Sequence, residues 1–373
     1  MFKNSKKFTL LFFLLLTFTQ KSCQAHIELI NALTALKTKL LSLQKKLQEL
    51  KQDQVMHPSG IWAQLKASDK KKLPASEKFN LFYHDCDTFA KTENSKIPQH
   101  DPSQDKILRI VTFNVFKMTK GVEAIKQVIT TLNPDIIILE EAFNLNSRFG
   151  PEENKLNDYD SLHFGLFGGY LGDQFGNTLL WKKNLKLAKP IEALKYQNPS
   201  RGEPRAYIKA LFNLSSGKQL LFYGTHLDIH DKTDDVRTKE VQEVIDDVKT
   251  SNIPNIIYAG DFNAVREKDY DNATWLLAEQ EYLAFANKPG APKVEKMPTQ
   301  ALKHLMDNGF EDCFTITNPT AKFPGPQFTV WTGTVVDFIF LKKDTWNLPI
   351  AGCYVYYSAA SDHLPIIMDI DLS

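Results

Sequence analysis

The sequence predicts a layered α/β domain over residues 105–373, with a helical extension before it. Three observations predict this. Short apolar, β-branched runs recur throughout the stretch, and helical patterns with a single apolar face stand between some of them. The opening order is strand–helix–strand, of a length that suggests a layered α/β domain.

Taken in order, Ile107–Phe113 is an apolar strand, and Val122–Leu132 is a helix with Ile125, Val128, Ile129 and Leu132 on one face. Pro134 ends that helix, and Asp135–Leu139 is an almost wholly apolar strand. Further strands are predicted at Thr178–Trp181, Tyr207–Asn213, Gln219–Tyr223, Ile256–Ala259, Val336–Leu341 and Ile366–Ile370, with an apolar run at Cys353–Tyr356. Helices are predicted at Asp234–Lys249 and Thr299–Asn308. Residues 142–177 and 264–298 read as long surface loops, the usual carriers of substrate contacts over a rigid sheet.

The N-terminal part divides into three. Residues 1–25 read as an export signal: Lys3, Lys6 and Lys7 precede an apolar Phe8–Phe18 run too short to span a bilayer, with a cut expected after Ala25. An uncleaved segment would instead anchor the chain to a membrane; after cleavage no integral span is expected. A lipid anchor at Cys23 is disfavoured, because Gln20-Lys21-Ser22 lacks an apolar residue. In residues 26–55, Leu29, Leu33, Leu36, Leu40, Leu43, Leu47 and Leu50 alternate in steps of four and three. That seam fits a short coiled coil forming a homo-oligomer, or an amphipathic helix packed on the main domain. Residues 56–104 read as a linker with one or two short helices, and its Lys70-Lys71-Lys72 run as a solvated surface.

Composition narrows the function classes. With 43% hydrophobic and 11% aromatic residues, the 373-residue chain can build a large core. A formal net charge of +1, from 45 basic and 44 acidic side chains, argues against a protein that coats nucleic acid but allows a local basic groove. Loss of Cys23 with the signal leaves Cys86, Cys313 and Cys353, enough for one disulfide and a free thiol; Cys313 and Cys353 read as buried apolar residues. The absence of any Cys-x-x-Cys spacing argues against a zinc site.

Six short motifs carry the chemistry: Thr112-Phe113-Asn114, Leu139-Glu140-Glu141, Gly224-Thr225-His226, Gly260-Asp261-Phe262-Asn263, Val336-Asp337-Phe338 and Ser361-Asp362-His363. Nearly all lie at or beside the end of an apolar strand, so their side chains can converge on one edge. Carboxylate and amide oxygens suit a hard cation such as Mg²⁺, and Asp beside His supplies acid–base chemistry near neutral pH. Asp337 sits inside an apolar strand, where a buried carboxylate needs a partner. Taken singly, the others have structural readings: Asn114 as a turn or cap residue, Arg205 paired with a carboxylate, Asn177 in a turn, His230 and Asp231 on a loop surface, and Trp331 in core packing.

The motif order resembles the endonuclease/exonuclease/phosphatase superfamily, the DNase I-like metallophosphodiesterases, over residues 105–373. The resemblance implies a four-layered α/β sandwich of two mainly antiparallel sheets flanked by helices. It implies that Asn114, Glu141 and Asp362 hold or approach Mg²⁺, with Mn²⁺ as an alternative, and that Glu140 stands where the family usually has Gln. Asp261 would handle the attacking water or the leaving oxygen, Asn263 and His226 would contact the phosphate, and Asp337 would hold the catalytic imidazole of His363. The Thr-Phe-Asn-Val-Phe and Leu-Glu-Glu-Ala-Phe segments are similar to the sphingomyelinase-like and tyrosyl-DNA-phosphodiesterase-like branches. The expected substrate is therefore a phosphate ester in nucleic acid, a lipid head group or an inositol phosphate, cleaved in the periplasm or outside the cell. The alternative is an inactive scaffold retaining the fold and assembling through residues 26–55.

Overall fold

The computed structural model describes residues 75–101, 106–143, 156–166, 175–197, 204–287, 293–321 and 328–373, with Lys37, Lys39 and Ser42 alone before them. The export segment, the leucine seam and the Lys70–Lys72 run lie outside the described residues. The chain divides into two compact units, Met1–His57 and Pro58–Ser373. Every described strand belongs to the second unit.

The first described helix of that unit is α1 (Ala75–Glu93), 19 residues long, where the sequence suggested a linker with one or two short helices. Phe82, Cys86 and Phe89 repeat at helical spacing and are buried in the central core. Phe82 and Phe89 both meet Phe328 edge to face, and Phe89 stacks at a tilt on Tyr357. Truncating a fully buried Phe typically costs about 3–5 kcal/mol, so this anchoring makes α1 part of the domain.

The first sheet follows: β1 (Ile107–Asn114), α2 (Val122–Leu132), β2 (Ile136–Phe143), β3 (Tyr159–Gly165) and β4 (Phe175–Lys182). The second contains β5 (Lys186–Leu187), β6 (Glu192–Lys195), β7 (Ala206–Asn213) and β8 (Gln219–His226), then α3 (Asp235–Lys249) and β9 (Asn255–Asp261). After α4 (Asn272–Ala286) and α5 (Gln300–Asp307) come β10 (Phe310–Asp312), α6 (Cys313–Thr317) and β11 (Asp337–Lys342). The chain then returns to the first sheet with β12 (Ile350–Val355) and β13 (Ile366–Asp371). The sheet orders are β12-β13-β1-β2-β4-β3 and β10-β11-β9-β8-β7-β5, with β6 also on β7. The β1/β2 and β8/β9 pairs are parallel, and the other pairs are antiparallel.

Strand alternation builds the layers. Leu108, Ile110, Ile136, Ile138 and Leu179 of the first sheet join Ile208, Phe212, Phe222, Ile257 and Ile339 of the second in one core. The opposite face of the first sheet, with Val111, Phe113, Ile137 and Leu139, is covered by Ile125, Val128 and Ile129 of α2. Tyr223, Ile256, Tyr258 and Phe340 of the second sheet are covered by Val241, Val244 and Ile245 of α3 and Leu302 and Leu305 of α5. Two mixed sheets flanked by helices are the sandwich that the motif order implied.

Three expectations are corrected. Both predicted loops contain regular structure: β3 lies within 142–177, and α4 within 264–298. In α4 (NATWLLAEQEYLAFA), apolar residues are spread round the helix, so it lacks the one-sided pattern that reveals a helix in sequence. Cys313 and Cys353 are joined in a disulfide, with Cα atoms 5.8 Å apart, while Cys86 is the free buried cysteine among the described residues. No helix among the described residues is long and apolar enough to cross a membrane.

Candidate active site

At one end of the sandwich the inward-facing apolar rows give way to polar side chains. Register accounts for this. In the second sheet His226 pairs with Asp261, and Asp261 with Asp337, so one rung across β8, β9 and β11 carries all three. In the first sheet Asn114 lies opposite Glu140. The sheets approach closely beneath this end: a Cβ on Gly224 would come within 2.7 Å of Ile138 Cδ1.

Hydrogen bonds join the two sheets. Asn114 Nδ2 donates to Asp261 Oδ2 at 3.0 Å, and Asn114 Oδ1 accepts from Phe116 N at 3.0 Å. Asp261 Oδ1 accepts from Asn263 N at 2.8 Å, closing a turn with Asn263 in the left-handed region (φ 46°), which Asn tolerates. Asn263 Nδ2 donates to Leu227 O at 3.1 Å. The Asp362-His363 turn is fixed by Ser361, whose Oγ donates to Asn114 O at 2.7 Å. His363 Nδ1 lies 2.9 Å from Asp337 Oδ2, and His363 Nε2 is 3.9 Å from Asp261 Oδ2. His226 Nε2 is 3.6 Å from the same Asp261 oxygen.

Glu141 breaks the strand pattern. The β2/β4 register shifts between Leu139 and Ala142, and Glu141 has a φ of 52°. A bulge of this kind re-aims a side chain, and the left-handed backbone costs a non-glycine residue about 1–3 kcal/mol. Glu141 Oε2 ends buried with no hydrogen-bond partner. Glu140 keeps the regular alternation and lies fully buried between the sheets, accepting a 2.7 Å bond from Thr112 Oγ1.

The two histidines are driven apart. Burial disfavours charge on both. For His363, Asp337 first, then Asp261 and Asp362, outweigh burial and hold the imidazolium well above its usual range. For His226, burial is reinforced by Arg205 and His363, so the ring is held well below it and stays neutral. Burial and then Asp337 push Asp261 up to about 7, against the pull of His363 and the Asn263 N–H. Asp362 is pushed up to about 6 by burial, with Glu141 contributing and His363 opposing. Burial raises Glu140 well above the carboxylate range, and Asp337 and Asp261 add to the effect although the Thr112 bond opposes it. A neutral Glu140 acid presents one donor and one acceptor, much as an amide does, which is how it can occupy the place of a Gln.

All eight sequence-selected residues, Asn114, Glu141, His226, Asp261, Asn263, Asp337, Asp362 and His363, thus fall in one constellation. A divalent cation fits its chemistry. The partnerless Glu141 oxygen is the kind of buried acceptor that a cation satisfies, while the ligand atoms of Asp261, Asp337 and His363, within 4.8 Å of one another, are engaged with each other. Other residues read differently in place. Arg205 is buried with Nη1 3.4 Å from His226 Nδ1; its position beside the histidine depends on the β7/β8 register. Asn177 belongs to β4, not to a turn, and its Nδ2 donates to Ala206 O of the opposite sheet at 3.3 Å. Asp231 is buried and accepts from Val236 N and Arg237 N at the start of α3. Trp331 packs against the core as expected. Ser361 stood in the Ser361-Asp362-His363 motif without an assigned role; the structure gives it one, fixing the turn through Asn114 O.

The sequence profile of the Endonuclease/Exonuclease/phosphatase family matches residues 111–363, and the chain belongs to that family. It is accordingly a hydrolase of phosphoester bonds. None of the curated proteins matches the sequence. Among solved structures, the human Nocturnin catalytic domain with bound sulfate is similar at 18% identity and a TM-score of 0.50, covering 71% of this chain and 94% of that one. ANGEL2, a 2',3'-cyclic phosphatase, is similar at 11% identity and a TM-score of 0.51, covering 74% and 98%. At these identities the likeness concerns the fold.

Proposed function

We propose that this chain is an exported, Mg²⁺-dependent hydrolase that cleaves phosphodiester (or phosphomonoester) bonds in a nucleic acid or a phospholipid or inositol phosphate. The observation that carries the reading is the convergence of His226 Nε2 and His363 Nε2, 3.6 and 3.9 Å from the same Asp261 oxygen, with His363 Nδ1 held 2.9 Å from Asp337. Asn114, Glu141 and Asp362 would hold the cation, which when bound neutralises charge developing on the nonbridging oxygens. Asp261 takes a proton from the attacking water, a role suited to a carboxylate poised near neutrality. His363, oriented through Nδ1 by Asp337, presents its Nε2–H to the phosphate, and His226 and Asn263 add neutral donors. The sulfate held by Nocturnin and the cyclic phosphate chemistry named for ANGEL2 favour a phosphate ester in this cleft.

Export is supported by the Cys313–Cys353 disulfide, a bond that persists in oxidising compartments. The leucine seam at 26–55 is assigned to self-association.

The test is hydrolysis of bis(4-nitrophenyl) phosphate by the full chain. Activity is expected to vanish with EDTA, return with Mg²⁺, and fall about 10²–10⁴-fold in His363→Ala. Activity retained in His363→Ala would overturn the assignment.

A further inference from the structure

Asp337 and His363 belong to different sheets. Asp337 opens β11, which pairs with β9 in the second sheet, and His363 lies in the segment between β12 and β13 of the first. Strand pairing fixes each within its own sheet, so the 2.9 Å contact between Asp337 Oδ2 and His363 Nδ1 depends on what spans the two segments. Thr329 spans them. It is fully buried, and its Oγ1 accepts from Val336 N at 3.0 Å and from Asp337 N at 3.1 Å. Its carbonyl accepts from the N–H of Leu364, the residue after His363, at 2.7 Å. The next two residues continue the contact: Val330 pairs with His363 as an antiparallel bridge, and Trp331 N donates to Asp362 O at 2.8 Å.

The helix α1 grips the same two segments, although it precedes the family-matched residues 111–363. Phe328, directly before Thr329, meets Phe82, Phe89 and Tyr357 edge to face, at 5.9, 6.1 and 5.9 Å between centroids. Tyr357 precedes the Ser361–His363 turn and packs on Phe89 at 5.1 Å. Asn94, just past α1, holds the Tyr357 backbone in both directions: its Nδ2 donates to Tyr357 O and its Oδ1 accepts from Tyr357 N, each at 2.9 Å. Packed aromatic rings prefer particular mutual orientations, so Phe82 and Phe89 fix Phe328 against Tyr357. Support of this kind, from side chains locked by their own packing, is what holds a functional geometry to within about 0.5 Å.

We infer that α1 and Asn94 form a positioning element for the reaction: acting through Phe328, Thr329 and Tyr357, they set the separation of Asp337 and His363. The inference rests on the proposed hydrolase activity and adds to it a requirement for residues that lie before the family segment. These residues act on the substrate only through the Asp337–His363 pair. Perturbing them should therefore lower kcat and leave KM nearly unchanged, the mark of an interaction realised in the transition state.

The test measures hydrolysis of bis(4-nitrophenyl) phosphate by the full chain carrying Thr329→Val, Thr329→Ser, Asn94→Ala, Phe89→Leu or Leu305→Ala, each at a temperature where circular dichroism shows it folded. Thr329→Val keeps the shape but removes the acceptor, leaving two buried N–H groups unsatisfied. Its kcat is expected to fall about 10–10²-fold, the scale of a misplacement of about 1 Å, and Thr329→Ser, which restores the acceptor, should recover most of the loss. Asn94→Ala and Phe89→Leu should lower kcat about tenfold. Leu305→Ala, which truncates a buried anchor of α5, should destabilise the fold without that loss. The geometry is read without turnover from the ring Nδ1–H resonance of His363 in protein labelled with ¹⁵N-histidine, assigned by its loss in His363→Ala. This resonance should move in Thr329→Val, Asn94→Ala and Phe89→Leu and hold its place in Thr329→Ser and Leu305→Ala. An unchanged kcat or an unmoved resonance in both Asn94→Ala and Phe89→Leu, or an equal loss in Leu305→Ala, would overturn the positioning role. Absence of turnover by the wild type would instead overturn the activity on which it rests, and the resonance alone would then decide the positioning.

Discussion

Cutting the Cys313–Cys353 bond should destabilise the domain by about 4 kcal/mol without altering the active-site residues. The bond joins α6, beside the second sheet, to β12 of the first, so it ties the two sheets together at one edge. It closes a loop with a sequence separation of 40, which contains β11 and its Asp337. Chain-entropy reasoning gives about −13 cal/mol/K for a loop of that length, or about 4 kcal/mol at room temperature. For a domain of this size each kcal/mol moves Tm by about 2–4 °C, so reduction should lower Tm by about 8–16 °C. The assay is thermal unfolding followed by circular dichroism, with and without dithiothreitol, beside a Cys313→Ser/Cys353→Ser variant that should no longer respond to reductant. Peptide mapping after alkylation under non-reducing, denaturing conditions should modify Cys86 and spare Cys313 and Cys353. Alkylation of both, or coincident melts with and without reductant, would refute the bond and remove the support it lends to export.

Two further predictions concern titration. His363 owes its raised pKa to Asp337, so Asp337→Asn should lower it, shrink the imidazolium fraction above neutral pH, and move the alkaline limb of the kcat/KM profile to lower pH; an unshifted limb would show that His363 is not the group titrating there. Glu240 of α3 is buried, accepting from Asp228 N at 2.9 Å, and burial pushes its carboxyl up to about 8. A carboxylate with a raised folded-state pKa favours folding at low pH and loses that contribution between its ordinary value of 4.5 and about 8. Glu240→Gln should therefore be more stable than the wild type by up to about 4 kcal/mol near pH 8, with the gain fading toward pH 5, as read from urea unfolding; a gain independent of pH would contradict burial of the charge as its cause.

The central strands were legible as nearly unbroken apolar runs because the sandwich buries both of their faces, and the helices at 122–132 and around 235–249 because each buries one face and so carries a helical period. The eight site residues were legible for a related reason. Polar residues interrupt otherwise apolar strand ends, and an Asp within Val-Val-Asp-Phe-Ile-Phe cannot be explained by solvent. What the sequence could not carry is register between distant strands. Only the β8–β9–β11 pairing places His226, Asp261 and Asp337 on one rung, and only the bulge at Glu141 separates its role from that of the adjacent, chemically identical Glu140. The same limit hid α1, whose three anchors are meaningful only against Phe328 and Tyr357 more than two hundred residues away. It also hid the disulfide, since two cysteines in apolar surroundings look like packing until the two sheets bring them within bonding distance. Local period sets which residues are buried, but the energy that selects their partners comes from contacts across the sandwich, and these exist only once the two sheets have closed on each other.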